Sequence, residues 1–235
     1  MTDNIREIAF DTETTGLDPD NGDRIIELGA VEMINHVPTG ETFRMLVNPG
    51  RPVSEDTVRI TGITDDMLVG QPPFEASSVV DAIMAFIGDA TIVAHNAKFD
   101  RGFLNMELQR CGRPIIEESR WIDTAALARK KYPGAPASLD ALCRRFNISL
   151  ESRTLHGALL DSQLLADVYL ELLGGRARAF EFGSASGTGV SETRAPARPR
   201  PRPLASRLTA EEAERHREFV ETLGEDAIWA QIAAE

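Results

Sequence analysis

Hydrophobic and polar positions divide this chain into a strand-rich beginning and a helix-rich continuation. Short apolar runs bounded by turn residues predict three strands, over residues 5–10, 24–34 and 42–47. The intervening segments, residues 18–23 and 38–40, are rich in Asp, Asn, Pro and Gly, which favour turns. Because short turns join antiparallel neighbours, this part of the chain predicts an antiparallel meander.

From residue 50 onward the spacing of apolar residues becomes helical. The clearest case is residues 74–87, where Val79, Ile83 and Phe86 share one helical face. Two short strands, at residues 91–94 and 121–122, interrupt helices predicted over residues 54–59, 65–68, 97–110, 124–131, 139–146 and 158–173. The whole pattern predicts an α/β fold, in which three meander strands and two further strands form a mixed sheet with helices on both faces.

The composition changes after Gly174 and Gly175. Residues 183–207 are almost entirely Gly, Ser, Ala, Thr, Pro and Arg, a composition that cannot bury a core. We therefore predict a folded domain over residues 1–175 and a disordered, flexible Gly/Ala/Pro/Arg linker over residues 176–208. The Pro-rich part of this linker should be extended rather than a loose coil.

Beyond the linker, residues 209–235 form a tail with helical signals. Thr209 and Glu212 have the spacing of a capping box. One helical face can carry Ala213, Val220, Leu223 and Ala227. Because so short a segment cannot form a domain alone, its apolar face and Trp229 indicate docking onto a partner, with a frayed tail as the alternative.

The formal net charge of −12 is spread unevenly along the chain. Residues 1–175 contain 16 basic and 27 acidic residues, whereas residues 183–208 contain five Arg and one Glu. Residues 209–235 are acidic again, with two basic and eight acidic residues. Since an acidic domain repels phosphate backbones, a nucleic-acid substrate would need bound metal ions or a partner protein to hold it.

Neither a membrane nor an oxidising compartment is indicated. No stretch approaches the roughly 18 uninterrupted apolar residues of a membrane span, and the N-terminus lacks a signal-peptide profile. We therefore expect a cytoplasmic protein without membrane contact. Cys111 and Cys143 lack metal-ligand spacing and are expected to be reduced structural residues.

The most informative short motif is Asp11-Thr12-Glu13, which follows the first apolar run. Side chains alternate along a strand, so Asp11 and Glu13 face the same side with Cα atoms about 6.5 Å apart and can reach one divalent ion. Residues 14–16 are expected to turn the chain away and to leave this pair at an open strand end, outside any ladder. A solvated acidic pair is the alternative.

Three residues elsewhere could complete such a site. Asp100 follows the predicted strand at residues 91–94 and can face the same sheet end, although Asp is also common at helix starts. Asp161 lies on an apolar helical face, where an unpaired carboxylate would be costly, although it too can serve a helix dipole. His156 precedes that helix, a position that also suits a surface or packing residue.

Four carboxylates and a neighbouring His match one chemistry well. Two divalent ions about 4 Å apart can activate a water and stabilise the leaving oxygen in phosphodiester hydrolysis. Oxygen ligands favour Mg²⁺ or Mn²⁺ over zinc. A His that titrates near neutrality would take the proton from the water.

Three segments that contain these residues, 10–16, 95–100 and 156–161, resemble the motifs of the DEDDh 3′-5′ exonucleases. Within that superfamily, residues 138–143 and 153–161 are most similar to the proofreading epsilon subunits of bacterial DNA polymerase III. The resemblance implies a ribonuclease-H-like fold in an exonuclease domain over residues 1–175. It further implies removal of a mismatched 3′-terminal nucleotide from a single-stranded or frayed DNA primer end.

The resemblance also implies a role for each site residue. Asp11 would bridge two metal ions, Glu13 and Asp161 would complete one metal site, and Asp100 would support the second. His156 would be the general base. The substrate would contact Asp11, Glu13 and Asp161, and also Asp56 and Thr61, which align with terminal-nucleotide contacts; Thr61 replaces a His of the best-known members.

Partners follow from the same resemblance. Residues 209–235 would dock on the alpha subunit of polymerase III and raise the local concentration of exonuclease at the primer end. A theta-like subunit and the sliding clamp are further implied partners, but residues 176–180 lack the leading Gln of a clamp-binding peptide.

Two other functions stay open from the sequence. A stand-alone DEDDh exonuclease that trims RNA or DNA 3′ ends would share every catalytic residue. A non-catalytic scaffold that stabilises a polymerase would not need an intact site.

Overall fold

The described part of the chain falls in two compact units, which divide after Ala185. The computed structural model describes residues 4–150, 156–175 and 209–222. The predicted linker at residues 176–208 and the end of the tail at residues 223–235 lie outside these ranges.

A five-stranded mixed sheet forms the centre of the first unit. Its strands are β1 (Arg6–Thr14), β2 (Ile25–Ile34), β3 (Val37–Leu46), β4 (Thr91–Ala94) and β5 (Trp121–Asp123). The spatial order is β3-β2-β1-β4-β5. β1 is antiparallel to β2 and parallel to β4, β2 is antiparallel to β3, and β4 is parallel to β5. The predicted meander and its two additional strands are confirmed, and β1, β4 and β5 end at the same edge of the sheet.

The first strand is longer than the sequence predicted and contains the acidic pair. Asp11 and Glu13 lie opposite Gly29 and Glu27 in the antiparallel ladder with β2. The expectation of an open strand end was therefore wrong on this side, because the β-favouring Thr12 and Thr14 continue the strand. On the other side, pairing with β4 reaches only Ala9, so both carboxylates lie beyond that ladder.

The turn between β2 and β3 also differs from the prediction. Residues 38–40 were expected to form it, but they belong to β3. The chain reverses at Asn35 and His36, whose φ angles of 51° and 70° match the left-handed residues of a tight hairpin turn. Asn tolerates this conformation, and His36 is held in it by contacts described below. Pro38 is accepted because β3 is an edge strand.

Helices cover both faces of the sheet, as predicted. They are α1 (Glu55–Thr61), α2 (Asp65–Leu68), α3 (Ser77–Ile87), α4 (Lys98–Arg110), α5 (Thr124–Lys131), α6 (Leu139–Arg145) and α7 (Ala158–Leu172), with a short 3-10 helix at Glu118–Arg120. α3 and α4 pack on one face, where Ile8 and Phe10 are buried. α6 and α7 pack on the other, where the intervening Ala9 is buried. This alternation is the period of two that a strand imposes.

The second unit contributes one described helix, α8 (Ala210–Thr222). Its predicted capping box is present, since the Thr209 hydroxyl accepts from the Glu212 backbone N–H and the Glu212 carboxylate accepts from the Thr209 backbone N–H. Phe219 is exposed on this helix, while Leu223, Ala227 and Trp229 lie outside the described residues. Among the described helices, none is both long and apolar enough to cross a bilayer.

Polar contacts among Glu7, His36 and Tyr169 connect the start of β1 to the end of α7. The Tyr169 hydroxyl donates to Glu7 Oε1 at 2.7 Å, and His36 Nδ1 lies 2.6 Å from Glu7 Oε2. The His36 ring meets the Tyr169 ring edge-on. Burial, followed by the hydrogen bond to Glu7, raises the pKa of Tyr169, so its hydroxyl stays a proton donor. These contacts explain how His36 keeps its left-handed backbone.

Tyr169→Phe should lower the free energy of unfolding by about 1–3 kcal/mol, because it removes a donor from the buried Glu7 carboxylate. Urea unfolding of the full chain measures this loss. Tyr132→Phe is the matched control, since no hydrogen bond of the Tyr132 hydroxyl occurs within residues 4–150, 156–175 and 209–222. Equal unfolding midpoints for the two variants would contradict the prediction.

Candidate active site

Three predicted site residues meet at the edge where β1 runs past β4. Glu13, His156 and Asp161 each place one ligand atom so that all three atoms lie within 4.8 Å of one another. Glu13 comes from β1, Asp161 from the first turn of α7, and His156 from the residue before the Gly157 cap of that helix. Oxygen and imidazole donors at this spacing fit a divalent cation.

Two residues of β2 fix the position of α7. Gly29 has no Cβ, and a Cβ there would overlap the backbone of Ala158 and Leu159. Glu27 accepts a hydrogen bond at 2.8 Å from the backbone N–H of Ala158, one of the N–H groups that a helix start leaves without an internal partner. Gly157 itself provides no side-chain cap. The strand therefore caps the helix that carries Asp161.

Glu27 is buried, with 1% of its surface exposed, and needs compensation for its charge. Arg44 of β3 supplies it, with Nε 2.6 Å from Glu27 Oε1. A further contact reinforces the helix position, since Ser162 of α7 donates to the Gly29 carbonyl oxygen at 3.0 Å. The first turn of α7 is thus held by one close backbone approach and two hydrogen bonds.

We call Glu13, His156 and Asp161 the catalytic cluster, and His156 is more exposed than its partner Asp161. Its Nδ1 lies 3.2 Å from Asp161 Oδ2, and its side chain is 49% exposed against 5% for Asp161. Its backbone N–H donates to the Ile60 carbonyl oxygen at 3.1 Å. This hydrogen bond joins the segment before α7 to α1. It fixes the position of the His156 backbone relative to α1.

A hydrogen bond with Thr12 places Asp100 next to the Asp11-Thr12-Glu13 motif. It lies in the first turn of α4, is 2% exposed, and accepts a hydrogen bond at 2.8 Å from the Thr12 hydroxyl. Burial raises the pKa of the Asp100 carboxyl to about 7, although the Thr12 hydrogen bond partly opposes this rise. A cation beside it would favour the ionised form. The structure therefore ties Asp100 to the middle residue of the Asp11-Thr12-Glu13 motif.

Two cavities flank the carboxylates. The larger, which we call the α5–α6 groove, has a volume of about 920 Å³. It is lined by Asp11, His95, Asn96, Ala125, Arg129, Gly134, Ala135, Ala137, Ser138, Leu139, Asp140, His156 and Asp161. The smaller, which we call the α1 pocket, has a volume of about 460 Å³ and is lined by Thr12, Glu13, Thr14, Gly16, Leu17, Ser54, Asp56, Thr57, Arg59, Ile60, Thr61 and Phe99.

The structure thus places both predicted terminal-nucleotide residues on the wall of the α1 pocket, together with Glu13. Asp56 is exposed and forms an ion pair with Arg59 at 2.8 Å. Thr61 is buried, and its hydroxyl donates to the Thr57 carbonyl oxygen and accepts from the Ile63 backbone N–H. Asp56 can therefore turn toward a ligand more readily than the Thr61 hydroxyl.

Sequence reasoning assigned no role to His95, which lines the α5–α6 groove. The Thr124 hydroxyl lies 2.9 Å from His95 Nδ1 and 3.2 Å from the Ala94 carbonyl oxygen, so Thr124 orients the His95 ring. Its position directly after a buried strand was the sequence signal for a site residue.

Sequence reasoning also assigned no role to Glu27 and Gly29, although each has a recognisable sequence feature. A Glu within an otherwise apolar strand requires a buried partner, and an isolated Gly within a strand marks a close approach of another backbone. Neither signal identifies which segment approaches.

Comparison with known proteins places this geometry in a family. A family model described as Exonuclease matches residues 8–169 of the chain. The chain belongs to this exonuclease family. It is 42% identical over 224 residues to the DNA polymerase III subunit epsilon of Rickettsia felis, which covers 93% of this chain and 97% of that protein. It is 44% identical over 182 residues to the subunit of the same name from Pasteurella multocida, covering 75% and 71% of the two chains.

A solved structure supports the same assignment. Exonuclease X, in complex with 5′ overhanging duplex DNA, aligns with a TM-score of 0.55 and 31% identity over 72% of this chain and 90% of its own. The predicted ribonuclease-H-like fold and the resemblance to the DEDDh exonucleases are confirmed. The chain is a 3′-5′ exonuclease of the polymerase III epsilon family, a family that uses divalent metal ions.

Gly29→Ala should lower exonuclease activity by about a hundredfold or more, because the new Cβ displaces the start of α7 and with it Asp161. Steady-state hydrolysis of a single-stranded oligonucleotide measures the loss, and circular dichroism checks that the exonuclease is folded. Gly102→Ala is the matched control, since its Cβ would make only an ordinary 3.9 Å contact with Pro19. Wild-type activity in Gly29→Ala would refute the placement of α7.

Proposed function

We propose that this exonuclease is the proofreading subunit of a replicative DNA polymerase III and removes mismatched 3′-terminal nucleotides from DNA. The observation that carries the proposal is the Glu13, His156 and Asp161 cluster at the end of β1, in a chain from the epsilon family. Asp11 lines the same groove as His156 and Asp161. The four carboxylates and the His are the residues assigned to catalysis.

The donor set supports binding of two Mg²⁺ or Mn²⁺ ions. Glu13 and Asp161 would hold one ion, Asp100 would support the second, and Asp11 would contribute to both. Carboxylate oxygens are the ligands that these hard cations prefer. Once bound, the ions supply an activated water and stabilise the charge that develops on the leaving oxygen.

His156 acts as the general base in this proposal. When Nδ1 carries the proton that Asp161 Oδ2 accepts, Nε2 holds the lone pair that takes a proton from the attacking water. Its half-exposed position gives that proton a route to solvent. The bond from its backbone N–H to the Ile60 carbonyl oxygen joins the segment that carries the imidazole to α1.

The α1 pocket receives the 3′-terminal nucleotide. Leu17, Ile60 and Phe99 give it an apolar and aromatic wall suited to a base, whereas Glu13 joins it to the catalytic cluster. Asp56 and Thr61 contact the nucleotide from α1.

A time course on a 3′-mismatched DNA primer with Mg²⁺ tests the activity. The wild-type exonuclease should shorten the primer from its 3′ end, and chelation of the metal should stop the reaction. Asp11→Asn should lower the rate by about a hundredfold or more, because it removes a ligand charge while it keeps the side-chain shape. Asp89→Asn, at an exposed carboxylate outside both cavities, is the control.

Full metal-dependent activity of Asp11→Asn would overturn the site assignment. A strong preference for RNA over DNA oligonucleotides of the same sequence would instead favour a stand-alone enzyme that trims RNA ends. Absence of any hydrolysis by the wild-type chain would favour the scaffold function.

The tail supplies the connection to the polymerase. Similarity to the Rickettsia felis subunit spans 224 residues, which is longer than the exonuclease domain at residues 1–175 and so extends toward the tail. Residues 209–235 dock on the polymerase alpha subunit, and the linker at residues 176–208 lets the exonuclease domain reach the primer end. A theta-like subunit and the sliding clamp are further proposed partners.

Deletion of residues 209–235 should spare hydrolysis of short single strands, because the catalytic cluster lies in the first unit. The same deletion should abolish co-elution with the polymerase alpha subunit in size-exclusion chromatography. Co-elution of the truncated exonuclease would show that the docking surface lies elsewhere.

A further inference from the structure

The two cavities beside the catalytic cluster differ in chemistry. The α1 pocket has an apolar wall that includes the aromatic Phe99. The α5–α6 groove is lined by small and polar residues, and no Phe, Tyr or Trp belongs to its lining. Phe99 thus gives the α1 pocket an aromatic surface for a base, whereas the groove contains Arg129, whose guanidinium suits a phosphate.

Among the described residues that line the groove, Arg129 is the one Arg or Lys. Arg129 lies in the last turn of α5, one turn after Ala125, and both residues face the groove. Within residues 4–150, 156–175 and 209–222, Arg129 forms no ion pair and no hydrogen bond through its side chain. Its neighbour Lys131 differs, since Lys131 Nζ donates to the Leu172 carbonyl oxygen.

The acidic residues of the groove are accounted for. Asp11 and Asp161 are metal ligands in the proposed function, where bound cations would neutralise them. Asp140 has Arg144 at 4.0 Å, one helical turn away on α6. The Arg129 guanidinium is therefore available to an anion that enters the groove from the catalytic end.

Small residues line part of the groove and leave room for a DNA strand. Gly134, Ala135 and Ala137 precede α6 and present at most a methyl group each. The groove thus combines these small residues with the Arg129 guanidinium, which can pair with a backbone phosphate. The groove volume of about 920 Å³ is twice that of the α1 pocket, as expected for more than one nucleotide.

We propose that Arg129 binds a backbone phosphate of the DNA strand on the 5′ side of the scissile bond, so that the strand enters along the α5–α6 groove. This inference rests on the proposed function, which places the terminal nucleotide in the α1 pocket. The strand then passes from the groove, across the catalytic cluster, into the α1 pocket. Recognition on the groove side is independent of base sequence, because it reads only phosphate.

Kinetics of the full chain on two DNA-type substrates test the inference. One is a single-stranded oligodeoxynucleotide, and the other is the p-nitrophenyl ester of thymidine 5′-monophosphate, which has a terminal nucleotide but no preceding phosphate. Arg129→Ala should raise the ratio of the oligonucleotide KM to the ester KM about fivefold, with little change in the oligonucleotide kcat. Arg129→Lys should recover most of this loss.

Lys130→Ala is the matched control, because Lys130 is the adjacent exposed cation of α5 and does not line the groove. Its KM ratio should equal that of the wild type. The dependence of oligonucleotide KM on salt gives a second measure: one lost phosphate contact on a single strand should reduce the logarithmic slope by about 0.7 in Arg129→Ala only.

Equal KM ratios for Arg129→Ala and Lys130→Ala would overturn the inference. So would an equal loss on both substrates in Arg129→Ala, which would mean that Arg129 only stabilises the end of α5. Failure of the proposed function has a different signature, since the wild-type chain would then hydrolyse neither substrate.

Discussion

The contact between the first turn of α7 and β2 is the constraint on which the active site depends. The register of β1 and β2 pairs Asp11 with Gly29 and Glu13 with Glu27. Gly29 and Glu27, which position α7, thus lie directly opposite Asp11 and Glu13. Asp161 of α7 completes the site together with these two carboxylates. Since a slip of one residue would turn every side chain to the other face, the same register sets both halves of the site.

A second consequence of this arrangement is electrostatic. Packing of α4 and α7 against the end of β1 brings buried carboxylates close to one another, and burial already raises the pKa of Asp100 to about 7. Like charges in a desolvated site disfavour ionisation unless a cation joins them. A divalent cation held by Glu13 and Asp161 would relieve such repulsion, which agrees with the use of divalent metal ions in this family.

In the proposed function, several separate features of the chain contribute to DNA binding. The exonuclease domain is acidic overall, so its own electrostatics oppose a polyanion. In the proposed function, the α1 pocket, bound cations and Arg129 would together hold only a short stretch of strand. A weak grip of this kind suits an exonuclease that is brought to its substrate by a partner, and the tail provides the means in the proposed function.

The sequence alone determined the element order, the meander, and the motifs that contain Asp11, Asp100 and Asp161, because these depend on local periodicity and spacing. It predicted the wrong end for β1 and the wrong turn before β3, since strand pairing and the Glu7 contact with His36 override local turn signals. Only the tertiary structure showed that the backbone of Ala158 approaches Gly29 and that Glu27 accepts a hydrogen bond from the Ala158 N–H. It also showed that Arg129 lines the α5–α6 groove. Those relations join residues up to 131 positions apart, and no local pattern encodes which distant segment will pack there.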